Sequence, residues 1–172
     1  MPIDFAKLDL RDALDLAILI EEEAEERYRE FTKLVGGRFP GDASEVFARM
    51  AENEAKHRQE LVAQRKKLFA RQKVRVTRAE LDDVEAPDRG KPRVFMSARQ
   101  AMEVALESEE KAFDFFAGAL KHVKDAKVKK LFTELKAEEQ KHKKMLQSRI
   151  KKLPKGPDVE ESEADEPGSD AG

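Results

Sequence analysis

Four stretches of this chain carry apolar residues at alternating spacings of three and four, and each stripe is broken near its middle by a glutamate. The first reads Leu14, Ala17, Glu21, Ala24, Tyr28, Phe31, Val35 and the second Phe47, Met50, Glu54, His57, Leu61. The third reads Met102, Ala105, Glu109, Ala112, Phe116, Ala119, Val123 and the fourth Phe132, Leu135, Glu139, His142, Leu146. Residues so spaced share one face of a helix, and an apolar face must be buried against another element. The expected fold is therefore all-α, with four long helices whose packed faces carry acids where a core allows none without compensation.

Local signals give the helix limits. The first helix runs from about Asp9 to Val35 and ends at Gly36-Gly37. The second follows Asp42, with Glu45 three residues on, and reaches about Arg71. The third follows Ser97, with Gln100 completing a capping box, and ends near Val123. The fourth starts at about Asp125 and fades before Pro154. Short loops join helices 1–2 and 3–4, which makes each pair an antiparallel hairpin. Between helices 2 and 3 a crossover of residues 72–96, with Pro87, Gly90 and Pro92, is long enough to run the length of a bundle; Thr77 and Glu80 suit the cap of one short helix within it. Two hairpins joined by one long crossover make a ferritin-like four-helix bundle.

The hairpins resemble each other in sequence. Residues 13–28, ALDLAILIEEEAEERY, lie over 101–116, AMEVALESEEKAFDFF, and residues 46–61, VFARMAENEAKHRQEL, lie over 131–146, LFTELKAEEQKHKKML. Glu21 falls on Glu109, Glu54 on Glu139, His57 on His142, and Tyr28 on Phe116. The repeat implies pseudo-two-fold symmetry. It also sets the heights: Glu21 lies fourteen residues short of Val35 and Glu54 twelve past Asp42, while Glu109 and Glu139 lie fourteen from Val123 and Asp125. At about 1.5 Å per residue these levels coincide in antiparallel pairs. Six side chains thus converge on one layer.

Four buried carboxylates carry a charge whose desolvation costs several kcal/mol per ion unless it is compensated. No Lys or Arg stands on the stripes at this level, so protonation or bound cations must neutralise it. Two divalent ions would. One Glu from each of two helices and a Glu-x-x-His from each of the other two is a dinuclear carboxylate ligand set. The candidate metal ligands are Glu21, Glu54, His57, Glu109, Glu139 and His142. Oxygen with some nitrogen and no sulfur suits iron or manganese, and zinc also fits. Tyr28, two turns past Glu21, should lie beside the site as a core filler or a redox participant; no other catalytic side chain stands out. Glu22, Glu23, Glu25, Glu26 and Glu110 read as outer-face acids, with Glu25 or Glu110 near enough to support a ligand. Glu107 competes with Glu109, and the repeat favours Glu109. His122, near a helix end, reads as surface.

These residues resemble the rubrerythrin branch of the ferritin-like superfamily. The resemblance rests on Glu21 with Tyr28, Glu54-Ala-Lys-His57, Glu109 with Phe116 and Glu139-Gln-Lys-His142, and it covers about residues 9–153. It implies a di-iron site, peroxide reduction or ferrous oxidation, and frequently dimers. Two features depart from the family pattern. The chain has no Cys and hence no rubredoxin-like centre to feed electrons, so an external electron donor is required. Ala112 stands where rubrerythrins commonly place an additional Glu. Bacterioferritin is also similar at the six ligands, but Ala55 occupies the place of its haem-binding Met, so no haem is expected, and the crossover here is longer than a cage ferritin usually has.

The expected activity is that of a non-haem di-iron oxidoreductase acting on peroxide or oxygen. The alternatives are an iron-storing ferroxidase cage subunit and a bundle that metal only stabilises. The N-terminus lacks an apolar signal core and no apolar run spans a membrane, so a soluble cytoplasmic protein with no membrane partner is expected. Residues 154–172 carry seven acids and one Lys and should form a disordered acidic tail. The remaining residues carry 33 bases and 29 acids, too even a balance for nucleic-acid binding. Leu16, Leu19 and Ile20 lie off the stripe of helix 1, as do Phe113 and Phe115 on helix 3. Left exposed, that surface would draw chains into a homodimer or larger oligomer, unless the crossover covers it.

Overall fold

The computed structural model describes residues 3–81 and 84–153. Its helices are α1 (Leu10–Val35), α2 (Ala43–Phe69), α3 (Ala98–Leu120) and α4 (Ala126–Lys152), with one 3-10 turn at Arg78–Glu80. No strand occurs among the described residues. Each helix starts where its sequence signal stands. Asp9 accepts the amide of Asp12, Asp42 that of Glu45, and Asp125 those of Lys127 and Val128. Ser97 and Gln100 cap each other's amides across the first turn of α3. Such caps satisfy amides that have no partner within the helix. Gly36, at φ 62, ends α1. In the crossover, Glu80 accepts the amide of Thr77, as the sequence suggests.

α1 packs along α2 and α3 along α4, and the hairpins meet chiefly through α2 against α3, with a smaller contact between α1 and α4. The stripes point inward, and the acid layer divides the core in two. On one side lie Leu14, Ala17, Leu61, Phe116, Phe132 and Leu135, on the other Tyr28, Phe31, Phe47, Met50, Ala105 and Leu146.

The crossover runs along α1 and α3. Near its start Arg75 pairs with Asp9 and Asp12; further on Arg78 pairs with Glu26 and Glu22, and Arg89 with Glu30. On the α3 side Lys91 pairs with Glu107 and Lys111 with Asp88. Leu81, Val76 and Val84, with Ile3, Phe5 and Leu8 of the N-terminal segment, pack into the same cluster as Leu16, Ile18, Leu19 and Ile20. Leu16 and Ile20 are thereby buried. The apolar excess of helix 1, which pointed to a second chain, is largely covered by this one. The acidic tail lies outside the described residues.

Where α2 hands over to the crossover, a buried guanidinium holds the turn. Ala70 adopts φ 46, a conformation costly for a residue with a Cβ. Arg65 donates to the carbonyls of Ala70 (3.1 Å) and Gln72 (2.7 Å) and forms a two-pronged pair with Asp15 of α1 (2.8 and 3.1 Å). Asp15→Ala should leave a buried cation short of its partner and cost about 3 kcal/mol of unfolding free energy. Asp15→Ala with Arg65→Met should recover most of that loss. Urea denaturation of the metal-free variants checks both values, and an unchanged midpoint for Asp15→Ala would show that the pair does not anchor the turn.

Candidate metal centre

The six residues chosen from the sequence meet at one level. Glu21 of α1 with Glu54 and His57 of α2 forms one triad, and Glu109 of α3 with Glu139 and His142 of α4 forms the other; within each triad one ligand atom per residue lies within 4.8 Å of the others. The two match as the repeat requires. His57 Nδ1 stands 3.7 Å from Glu21 Oε2 and 3.6 Å from Glu54 Oε2. His142 Nδ1 stands 3.3 Å from Glu109 Oε2 and 3.6 Å from Glu139 Oε2. The imidazoles stack face to face at 4.8 Å, 5° from parallel. The i, i+3 spacing on α2 and α4 produces this arrangement: it sets carboxylate and imidazole one turn apart on the inward face, with Nδ1 toward the acids.

A seventh residue joins them, and the stripe argument missed it. Glu85 of the crossover is 2% exposed. A carboxylate oxygen of Glu85 falls within 4.8 Å of Glu21 and Glu139, and likewise of Glu54 and Glu109. It therefore lies close to both triads. Its signal in the sequence is faint: it is one acid among several, between Val84 and Ala86-Pro87 and close after Glu80, Asp82 and Asp83. Glu25 instead pairs with Arg29 and Arg58, Glu107 with Lys91, and Glu22 and Glu26 with Arg78. Glu110 and His122 are exposed, so none of these acids, nor His122, enters the layer.

Burial and mutual repulsion dominate the electrostatics of the layer. Glu21 is pushed well above its ordinary pKa by burial and by the charge of Glu54, and Glu109 by burial and its contact with Glu139. Glu85 is pushed well up by burial and by the charges of Glu21, Glu54, Glu139 and Glu109. Glu54 goes the other way: burial opposes ionisation, but hydrogen bonds with His57 and Glu21 hold it below the ordinary value. For His57 the carboxylates of Glu21 and Glu54 overcome burial and raise it to about 11. One oxygen each of Glu21, Glu54, Glu85 and Glu139 is buried without a hydrogen-bond partner. Buried oxygens normally have partners, and four without one, turned into one layer, form a donor set suited to cations. The oxygen and nitrogen donors fit a hard or borderline divalent metal.

Tyr28 borders the layer. It is fully buried, stacks on Phe47 at 6.1 Å, and its hydroxyl has no hydrogen-bond partner. Burial, then the charges of Glu109, Glu54 and Glu85, keep it a neutral phenol.

The two sides of the layer differ in access. Glu85 seals the α1/α3 side. On the α2/α4 side the side chains of His57 and His142 are each 20% exposed. A cavity of about 110 Å³ reaches Glu21 and His57 there, with Glu60, Gln64, Glu134 and Glu138 in its wall. A smaller one of about 20 Å³ reaches Glu54, Glu109 and His142. The larger holds a few waters or a small oxidant.

Comparison with known proteins agrees with this geometry. A family model described as rubrerythrin matches residues 12–150, and again 100–166. No curated protein matches. Among solved structures, an uncharacterized conserved protein from Magnetospirillum magnetotacticum MS-1 is similar at 24% identity and TM-score 0.67, over 88% of this chain and 100% of that one. A hypothetical protein from Pyrococcus furiosus is similar at 22% identity and TM-score 0.56, over 88% of this chain and 94% of that one. At such identities these two share the fold. The family model reaches from the first turn of α1 to the last of α4, takes in all six candidate ligand positions of the repeated hairpins, and so places the chain in the rubrerythrin family.

Proposed function

We propose that the chain is a non-haem di-metal oxidoreductase, with iron as its working metal, that reduces peroxide or oxidises ferrous iron using an external electron donor. The observation that carries this reading is the pair of matched triads, the first of which opens through Glu21 and His57 on a cavity of about 110 Å³. A metal serving only to stabilise the bundle needs no such opening. Glu21, Glu54 and His57 would hold one ion and Glu109, Glu139 and His142 the other, with manganese or zinc able to occupy the same donors. When bound, two ferrous ions together supply the two electrons that, with two protons, take a peroxide to two waters.

The chain's own residues supply the rest. His57 and His142 would bind through Nδ1, the ring nitrogen turned toward the acids, and Glu54 and Glu139, one turn away on the same helices, would hold the ions with them. Glu60, Glu134 and Glu138 make the mouth acidic, which attracts cations and leaves uncharged peroxide free to pass. Tyr28 holds a proton beside Glu54 and Glu109. All the ligands come from a single chain, so a homodimer would add stability or partner recognition and no ligand. No helix among the described residues is long and apolar enough to cross a membrane, which is consistent with action in solution, where a diffusing donor can reach the site.

About two metals per chain should bind. Glu54→Ala or Glu139→Ala should each lower occupancy, and the double variant should abolish it, measured by elemental analysis after anaerobic loading with ferrous iron. Full metal content in the double variant would end this reading. The reduced, loaded protein should then be oxidised on mixing with peroxide, followed by its absorbance.

The protonation pattern gives a second expectation. Glu21, Glu85, Glu109 and His57 bind protons more tightly folded than unfolded. Stability is lost with rising pH wherever the folded state holds more protons. The metal-free protein should therefore weaken as pH rises through and above neutrality, with the contribution of His57 fading between its ordinary 6.5 and about 11. Glu54, shifted down, contributes the opposite slope, confined to acid pH. Metal displaces these protons, so the gap in melting temperature between loaded and metal-free protein should widen from about pH 6 to about pH 9. A gap independent of pH would show that loading releases no protons.

A further inference from the structure

The crossover is the one element of the bundle without a counterpart in the repeat, and it places a carboxylate at the centre of the acid layer. Glu85 is 2% exposed and its Oε2 is buried with no hydrogen-bond partner. It lies within 4.8 Å of one acid from each hairpin in two separate groupings, Glu21 with Glu139 and Glu54 with Glu109. The backbone beyond it is clamped from both sides. Arg27 of α1 donates to the Pro87 carbonyl at 2.7 Å, and Lys111 of α3 donates to the Ala86 carbonyl at 2.8 Å and pairs with Asp88 at 3.2 Å. Ala24 and Ala112, each one turn beyond the ligand of its helix, are fully buried, and such small side chains let a third strand of backbone come close. An unpaired carboxylate carried this deep costs several kcal/mol if it has no task.

We propose that Glu85 is a fifth carboxylate ligand shared by both metals, so that metal binding ties the crossover to the two hairpins. This rests on the two-metal reading given above. It deepens that reading on one point. With five carboxylates the donors carry -5, against +4 for two divalent ions and +6 for two trivalent ions. The fifth carboxylate thus offsets charge that appears when the metals give up electrons, a role with no use in a permanently divalent site.

The test compares the full-length wild type with Glu85→Gln, which keeps the shape and removes the charge, and with Asp114→Asn, at an exposed acid of α3, as control. The probes are Mn(II) by calorimetry and Fe(II) loaded anaerobically. Glu85→Gln should weaken Mn(II) binding about tenfold or more and move the iron midpoint potential to a more positive value, since one negative charge no longer stabilises the oxidised pair. Hydrogen exchange at the amides of residues 84–89 should slow on Mn(II) addition in wild type and Asp114→Asn, and much less in Glu85→Gln. Losing an unpaired buried acid, metal-free Glu85→Gln should melt above metal-free wild type, which separates loss of a ligand from loss of the fold. Wild-type affinity, potential and exchange protection in Glu85→Gln would overturn the assignment of Glu85 while leaving the two-metal site standing. Failure of the wild type itself to bind Mn(II) or Fe(II) would overturn both.

Discussion

Everything in this bundle is arranged around five carboxylates buried at one height. Glu21, Glu54, Glu85, Glu109 and Glu139 are each 4% exposed or less, and no Lys or Arg side chain pairs with them among the described interactions. Such a cluster opposes folding unless protons or cations neutralise it, and the core's two hydrophobic clusters lie on either side to hold it in place. The helices are long because a layer at mid-height needs apolar packing above and below it. The outer faces are highly charged, with 41% of all residues Asp, Glu, Lys or Arg, because a narrow inward stripe leaves most of each helix in water.

Much of this was legible before any coordinates. Helix starts were readable because Asp9, Asp42, Ser97 and Asp125 act through a local hydrogen bond to an amide two or three residues on. The convergence of the six candidate residues was readable because helical periodicity fixes which residues share a face and because the repeat states the answer twice. Glu85 was not, and the reason is physical. A crossover has no period, so nothing in its sequence says which residue turns inward. Its depth is set by long-range contacts with Arg27 and Lys111, neither of which signals its target. The fate of Leu16 and Ile20 was ambiguous on the same ground. A segment that covers an apolar face from within the chain and a second chain that covers it from outside leave the same mark on the helix.

The departure at Ala112 takes on a different meaning in this light. Read along the helix, alanine in place of a carboxylate looks like the loss of a ligand. In the structure the layer still holds five acids, the fifth arriving from a segment some twenty-five residues earlier in the chain. Counting donors along helices alone undercounts what surrounds the site.

The repeat also limits what symmetry can supply. Two copies of one hairpin deliver side chains in twos: a pair of glutamates, a second pair, a pair of stacked imidazoles. Chemistry that moves charge in one direction gains from an odd member, and an odd member has to come from something present once. The segment stitching the copies together meets that description, as does the hydroxyl that Tyr28 carries and Phe116 lacks. Joining two like halves in one polypeptide, with no equivalence enforced between them, gives each half freedom to drift into a separate task, which two identical chains meeting at a symmetry axis do not have.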